Sequence, residues 1–362
     1  MERTILYIGG FQLPERNAAA QRVVGIAKGL RALGYRVLFL NSFKDYNELG
    51  IVEKEYFGFK CFEYKREKDI DYLFLAKTVL CMIKKIEPFA VIAYNYPAVS
   101  LNHIRKYCKA NGIKCLADST EWYDTAGRNF LAGIIKGMDT FYRMRYVQKR
   151  MDGVIAISRY LYDYYKQFVK TVLIPPVVDM EDDKWKASVI KKDESISFVY
   201  AGVPSTSKER LDLIVDAVEA IESENKICLN IVGITREQFI NIYGWKRIIP
   251  ESVVFWGRVE HQKALQIVKQ SDWSIILREN TRLVKAGFPT KLAESISCGT
   301  PVIANRFSNV FDYLTEEESI CVESLDDITE KIEVACKKKC IVNSNIFDYH
   351  NYLAELERII MC

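Results

Sequence analysis

Residues 287–307 read GFPTKLAESISCGTPVIANRF, the pattern of a loop, a short helix, a tight turn and a strand. Lys291 falls in the first turn of that helix and Glu294 three residues later. The N–H groups at a helix start attract anions, and a lysine there adds a full positive charge. Thr290 and Lys291 therefore suit a phosphate. Glu294, one turn on, can reach past the phosphate to a neutral diol such as a nucleotide ribose, which a carboxylate holds by accepting two hydrogen bonds. An exposed Lys–Glu pair at this spacing contributes only ~0.2–0.5 kcal/mol. Such a pair leaves Gly287 and Gly299, which flank it, unexplained.

A second cationic stretch is AGVPSTSKERLDLIVDA, where Ser205, Thr206 and Ser207 precede Lys208 at an expected helix start. It can hold a diphosphate, or the hydroxyls can simply cap the helix. In the first half of the chain, GGFQLPERNAAAQR follows an apolar strand. Gly10 and Phe11 lie in a loop that Asn17 closes as a helix cap, and the loop lacks the GxGxxG dinucleotide fingerprint. LADSTEWYD sets Asp118, Glu121 and Asp124 beside Trp122 and Tyr123. Aromatic faces with carboxylates at a strand end suit a sugar; a solvated acidic turn around one buried Trp is the plainer alternative. Residues 128–150 alternate Arg143, Arg145, Lys149 and Arg150 with Phe141, Tyr142, Met144 and Tyr146. This fits either a helix lying on an anionic membrane or a core helix with a solvated face.

These residues need a scaffold, and the apolar pattern supplies one. TILYIG, RVLFLN, FAVIAY, IKCLAD, GVIAIS and TVLIPP are short apolar runs separated by helical stretches, including one over 17–33 that Gly34 stops and one over 71–86. Short apolar strands alternating with helices predict a parallel sheet covered on both faces. The polar run 179–195 reads as a linker. ISFVYAG, KICLNIVG, SVVFWG, DWSIIL and TPVIAN then restart the pattern. The expectation is an α/β chain with domains over 1–180 and 196–343, a linker over 181–195, and a C-terminal stretch, 344–362. That stretch contains an amphipathic helix over 346–360 that packs back on the first domain. Ligands of such sheets bind beyond the carboxyl ends of the strands.

Composition narrows the class. The chain has 362 residues, 49% hydrophobic and 27% charged, which suits globular domains. Its start, MERTILYIGG, lacks the features of a signal peptide, and no apolar run reaches a membrane span. The expected location is cytoplasmic, with peripheral contact to the inner face of a membrane. The ten cysteines include no CxxC and read as buried thiols. Residues 1–180 hold 28 Lys/Arg against 18 Asp/Glu, while residues 181–362 hold 23 against 29. A basic half beside an acidic half argues against nucleic acid and for an anionic partner of the first half.

GFPTKLAESISCGTPVIA resembles the signature of retaining glycosyltransferases of the two-Rossmann-domain GT-B kind, in family 4. GGFQLPERNAAAQRVVGIAKGLRALGYRVLFL, DGVIAISRYLYDYY, TVLIPPVVD, FVYAGVPSTSKERLDLIVDAVEA, LNIVG and VVFWGRV resemble its other stretches in order, so the likeness covers roughly residues 4–340. It implies two Rossmann-like domains facing across a cleft, with an acceptor on the first and a nucleotide-sugar donor on the second. By the same likeness Glu294 binds the ribose and Lys208 the diphosphate. Gly287 and Phe288 approach the phosphates and sugar, and Arg258 lies near the base. Gly202, Ser207, Arg282, Pro289, Thr290, Lys291 and Leu292 complete the implied donor side. Gly10, Phe11, Asn17, Asp118, Glu121 and Trp122 form the acceptor side. The chain departs from the family at Ala286, where a second glutamate is usual, and at Val203, where an arginine is usual. Lys291 and Arg282 are the candidates to restore the charge.

The implied reaction is glycosyl transfer with retention, without a metal or other cofactor, to a saccharide or lipid-linked acceptor in surface polysaccharide or glycoconjugate synthesis. Lys208, Lys291 and helix N–H groups would stabilise the departing diphosphate. Two other readings stay open: a catalytically silent partner of the same fold, and a sugar-nucleotide epimerase.

Overall fold

The computed structural model describes residues 3–14, 17–44, 48, 50–66, 70–122, 130–186, 195–205, 208–221 and 226–361. Its chain divides into two compact units. The first is Met1–Val177 with Ala286–Phe288 and Tyr349–Cys362; the second is Val178–Lys285 with Pro289–Asp348.

The strands of the first unit are β1 (Thr4–Gly9), β2 (Arg36–Phe43), β3 (Ile51–Tyr56), β4 (Phe59–Lys65), β5 (Ala90–Tyr94), β6 (Lys114–Ser119), β7 (Gly153–Ala156) and β8 (Thr171–Leu173). They form one sheet in the order β3-β4-β2-β1-β5-β6-β7-β8, parallel except for β3. Its helices are α1 (Ala18–Ala32), α2 (Lys77–Ile86), α3 (Ala98–Ala110), α4 (Phe130–Tyr142) and α5 (Arg159–Tyr165). Ile5, Leu6, Tyr7 and Ile8 of β1 are all buried. Burial of consecutive residues follows from a parallel strand covered on both faces.

Two features of this unit depart from the sequence pattern. β3 and β4 form an antiparallel hairpin on the sheet edge that the apolar runs do not announce. Its turn is Phe57–Gly58, with φ of 55° and 73°. A two-residue hairpin turn takes positive φ at both positions, and a phenylalanine there hides the signal. The edge strand carries Glu53, Lys54 and Glu55, charges that oppose pairing with a further strand. The expected helix over 71–86 is also broken: a π-helical turn, Asp71–Leu75, ends at Ala76 in the left-handed region, and α2 follows. The Asp71 carboxylate caps α2, accepting from the N–H groups of Lys77 and Thr78 at 2.6 and 3.2 Å and from Thr78 Oγ1 at 2.8 Å.

The second unit contains β9 (Ile196–Ala201), β10 (Ile227–Val232), β11 (Val253–Gly257), β12 (Trp273–Ile276), β13 (Val302–Asn305) and β14 (Ser319–Val322). They form a parallel sheet in the order β11-β10-β9-β12-β13-β14. This is the Rossmann order, which reverses direction between β9 and β12. The helices are α6 (Asp183–Lys186), α7 (Leu211–Ile221), α8 (Arg236–Tyr243), α9 (His261–Gln270), α10 (Arg282–Ala286), α11 (Thr290–Ser297) and α12 (Ile328–Lys337). Most of the expected linker, 187–194, lies outside the described residues.

The terminal helix is shorter than its periodicity predicts. A 3-10 turn, Tyr349–Tyr352, leads into α13 (Leu353–Ile360), and Phe347 lies before both. Phe347 packs on Tyr313 in the second unit, with ring centroids 5.5 Å apart. Leu356, Ile359 and Ile360 of α13 are buried in the first unit's core with Val23, Ile26 and Leu30 of α1.

The first unit also buries an ion pair. Arg22 of α1 donates from Nη2 to Asp118 Oδ1 at 2.7 Å and from Nε to both carboxylate oxygens at 2.9 and 3.1 Å. Arg22 Nη1 donates to the carbonyls of Ile174 and Pro175. Tyr7 OH donates to Asp118 Oδ2 at 2.5 Å. Burial, reinforced by the Asp118 charge, pushes the Tyr7 hydroxyl well above its ordinary value, so it remains a donor. Removing one partner of a buried pair leaves a charge without compensation, at a cost of about 3–5 kcal/mol. Arg22→Ala is therefore expected to lower stability by that amount in urea denaturation; a loss below about 1 kcal/mol, the value of an exposed pair, would show that Asp118 does not need this partner.

Candidate functional site

The carboxyl ends of β9 and β12 meet where the second sheet reverses, the position at which Rossmann-like sheets bind ligands. Four side chains converge there: Tyr200 at the end of β9, Glu209 in the loop after it, Arg278 just after β12, and Lys291 in α11. Arg278 Nη2 donates to Glu209 Oε1 at 2.7 Å, and Lys291 Nζ lies 3.6 Å from the same oxygen. Lys291 Nζ also donates to Tyr200 OH at 2.8 Å. The second carboxylate oxygen of Glu209 accepts from the Ser205 N–H at 3.0 Å.

Local folding explains how two buried charges and a largely covered third stay together. α11 turns Leu292, Ala293 and Ile296 inward, which leaves Lys291 and Glu294 at the edge of its buried face. Ser295 Oγ donates to the Lys291 carbonyl and pairs with Ser274 Oγ of β12 at 2.9 Å, fixing the helix against the sheet. Arg278 is held through its backbone: its N–H donates to Asn305 Oδ1 at 2.9 Å, and Asn305 Nδ2 donates to its carbonyl at 2.8 Å. Glu209 and Arg278 form an antiparallel bridge, extended by Arg210 N to Leu277 O and Glu279 N to Lys208 O. Gly202 completes the wall with a φ of 140°. A side chain there would begin 3.1 Å from Lys291 Nζ, so the backbone lies directly against the amine.

Electrostatics follow from this geometry. Burial lowers Lys291 to about 8; Glu209 opposes that shift and Arg278 adds to it. Burial alone would raise Glu209, but Lys291, Arg278 and the Ser205 N–H outweigh it and hold the carboxyl below its ordinary value. The Tyr200 hydroxyl is raised well above its ordinary value, chiefly by burial. One carboxylate thus faces two cations, and the cluster is net positive at neutral pH. No side chain caps the start of α11, so its first N–H groups add to the positive field. The chemical capacity of this arrangement is to receive an anion.

Glu294 lies one turn further along α11. Its Oε1 is 2.9 Å from His261 Nε2 at the start of α9. Gly287, Phe288, Pro289, Thr290 and Leu292 run into or along the same helix; Phe288, Pro289 and Leu292 are buried, and Gly287 and Thr290 half-buried. Arg258 and Arg282 are exposed, and Ser207 lies outside the described residues. Lys208 corrects the sequence reading: it lies in a turn, and the helix begins at Leu211, because the bridge between Glu209 and Arg278 holds the preceding backbone extended. Arg278, not Arg282, is the arginine joined to Lys291 through a shared carboxylate. Glu209, Arg278, Tyr200 and His261 escape sequence reasoning because nothing local marks them. Only the ERLD run after Lys208 and the LREN run after an apolar strand hint at paired charge.

In the first unit, several expected sugar contacts are framework residues. Asp118 is fully buried, its carboxylate taken up by Arg22 and Tyr7. Trp122 is buried against Tyr160 and Tyr164, with centroids at 6.0 and 4.9 Å. Phe11 is buried among Tyr7, Phe39 and Tyr94. Asn17 caps α1, accepting from Ala20 N at 2.9 Å. Glu121 is half-buried, and Asp124 and Tyr123 lie outside the described residues. Gly10 is half-buried and passes under Arg66, whose Nη2 lies 2.2 Å from where a side chain at residue 10 would begin. Arg143 is fully buried and donates to the Asn95 carbonyl at 3.1 Å, as the core-helix alternative for this stretch has it. Among the described residues no group of three His, Cys, Asp or Glu side chains is placed to hold a metal ion.

An anion held by Lys291 should bind more weakly as pH rises through about 8, where the amine loses its charge. Titrating inorganic pyrophosphate by calorimetry between pH 7 and 9.5 checks this; affinity that does not change across the range would exclude Lys291 as a contact.

Residues 181–346 match the family model Glycosyl transferases group 1. No curated protein matches the sequence. Three solved structures share the fold over 99% of this chain. Sucrose-phosphate synthase from Thermosynechococcus elongatus is 15% identical, with 97% of its chain covered and a TM-score of 0.67. HepE of Anabaena, in complex with UDP and glucose, is 13% identical, with 100% covered and a TM-score of 0.65. An α,α-trehalose-phosphate synthase (UDP-forming) from Burkholderia xenovorans, in complex with glucose-6-phosphate, is 9% identical, with 100% covered and a TM-score of 0.69. The chain thus has the fold of the GT-B glycosyltransferases, two Rossmann-like α/β units, and its second unit carries the match to glycosyl transferases group 1.

Proposed function

We propose that this protein is a retaining glycosyltransferase that moves a sugar from a nucleoside-diphosphate donor to a hydroxyl of a saccharide or lipid-linked acceptor. The observation that carries this reading is the Arg278–Glu209–Lys291 cluster at the switch point of the unit that matches the family model. Glu294 stands one turn beyond it on α11, and we assign its carboxylate to the ribose diol. HepE, which shares the fold, binds UDP and glucose, and this supports a nucleotide sugar as the donor.

In this mechanism the bond between the anomeric carbon and the diphosphate oxygen breaks while the acceptor hydroxyl attacks the same face. The hydroxyl proton leaves with the departing phosphate. Negative charge grows on the diphosphate, and Lys291, Arg278, Lys208 and the first N–H groups of α11 meet it. Groups fixed before the reaction stabilise such charge without reorganisation. Glu294 orients the nucleotide. Ala286, fully buried, carries no charge to the donor sugar, and Val203, 70% exposed, carries none to the phosphate. Lys291 and Arg278 take over that neutralisation.

Calorimetry with UDP-, GDP-, ADP- and TDP-sugars tests the reading. One donor is expected to bind selectively, and Glu294→Ala to weaken it about ten-fold or more, the loss of roughly one charge-assisted hydrogen bond, with an unchanged melting temperature. Absence of binding to all four would favour a silent GT-B-like partner. Donor interconversion without an added acceptor would favour an epimerase.

We also assign the first unit a peripheral contact with an anionic membrane at the cytoplasmic face, where a lipid-linked acceptor would be met. α4 exposes Ile134, Ile135, Met138 and Phe141 to solvent. Arg145 lies over the Phe141 ring at 4.8 Å and Arg150 over Tyr146 at 3.7 Å, which places cations at the border of the apolar face. No described helix is long and apolar enough to cross a membrane. Replacing Arg145, Lys149 and Arg150 with Gln should reduce co-sedimentation with phosphatidylglycerol vesicles, at about 1 kcal/mol per charge. Unchanged sedimentation would remove this contact; Arg143, being buried, is left intact in the test.

A further inference from the structure

We propose that Glu209 is a positioning residue for the donor diphosphate: its carboxylate holds Arg278 and Lys291 side by side as a preformed two-cation cradle at the end of β9. This rests on the glycosyltransferase reading and adds to it a residue that the sequence pattern does not mark.

Two cations with a common anionic target repel one another, and burial strengthens that repulsion. Glu209 Oε1, 2.7 Å from Arg278 Nη2 and 3.6 Å from Lys291 Nζ, is the group that brings them together. Its position is fixed from both sides, by the bridge to Arg278 and by the Ser205 N–H. The groups facing Lys291 are Glu209, Arg278, Tyr200 and Glu294. Burial and Arg278 push the amine toward its neutral form, and Tyr200 remains a neutral phenol. Glu209 is the nearer of the two carboxylates opposing that loss, and it makes the direct contact. Without it, Lys291 loses its charge at a lower pH, and the cradle holds two cations over a narrower range.

The decisive variant is Glu209→Gln, which keeps shape and removes charge. Two measurements are made on the full chain. In the first, without nucleotide, the rate of Lys291 acetylation against pH is read by mass spectrometry. The expected result is an apparent Lys291 pKa lower by about one unit or more, the usual effect of removing an adjacent opposite charge. In the second, binding of UDP, GDP, ADP and TDP is measured from pH 6 to 9. The variant is expected to bind about ten-fold more weakly than wild type at pH 8 and to recover at pH 6, where Lys291 is charged in both. Glu209→Asp should restore part of the wild-type profile. A misfolded variant would show no recovery at pH 6, so a structural defect is told apart from a lost charge. An unchanged Lys291 pKa, or a binding profile superimposable on wild type, overturns the role of Glu209 while leaving the glycosyltransferase reading in place. Wild-type protein that binds none of the four nucleotides overturns that reading, and the positioning role with it.

Discussion

The second unit depends on one carboxylate shared between a buried arginine and a largely covered lysine. Each of Glu209, Arg278 and Lys291 would be costly to bury alone, because low dielectric penalises an unpaired charge. Together they are tolerated, and the surrounding structure is arranged to keep them so. Asn305 grips the backbone of Arg278 with both ends of its amide. Ser295 ties α11 to β12. Gly202 leaves no side chain where the lysine must lie. These contacts come from β9, β12, β13 and α11, so the register of the parallel sheet and the location of positive charge are one constraint.

The first unit solves a similar problem differently. Arg22 and Asp118 also form a buried pair, but there the carboxylate is saturated by guanidinium and phenol, and the guanidinium by carbonyl oxygens. Nothing is left over to meet a ligand. The cluster around Glu209 carries one more positive than negative group. That surplus separates a site that can bind an anion from a pair that only closes a core.

How much of this could be read from residues alone varies with how local each signal is. The apolar runs mark most parallel strands, since burial on both faces demands continuous apolar sequence; β1, β9, β12 and β13 are examples. The β3–β4 hairpin was not legible, because its edge strand alternates charged residues and its turn contains Phe57. α1 was legible to within a residue through Asn17 and Gly34, whereas the break at Ala76 has no residue type that announces it. Lys291 and Glu294 stood out because residues three apart on a helix share one edge. Arg278 and Glu209 did not, because they are 69 positions apart and are joined by backbone pairing at the ends of non-sequential strands. The surroundings of Asp118 and Trp122 were not legible for a related reason. A carboxylate beside an aromatic has the same composition whether it faces solvent or a buried arginine from a distant helix.

The path of the chain has a consequence for how the protein is made. Leu356, Ile359 and Ile360 complete the core of the first unit, yet they follow the whole second unit in sequence. During synthesis the first sheet and α1 emerge early, but the apolar flank of α1 stays uncovered until residues 349–361 leave the ribosome. The second unit can mature while the first still waits for its last helix. The nascent chain therefore carries a temporarily open apolar groove through much of its translation, and closing it is a late, long-range step rather than part of the initial collapse.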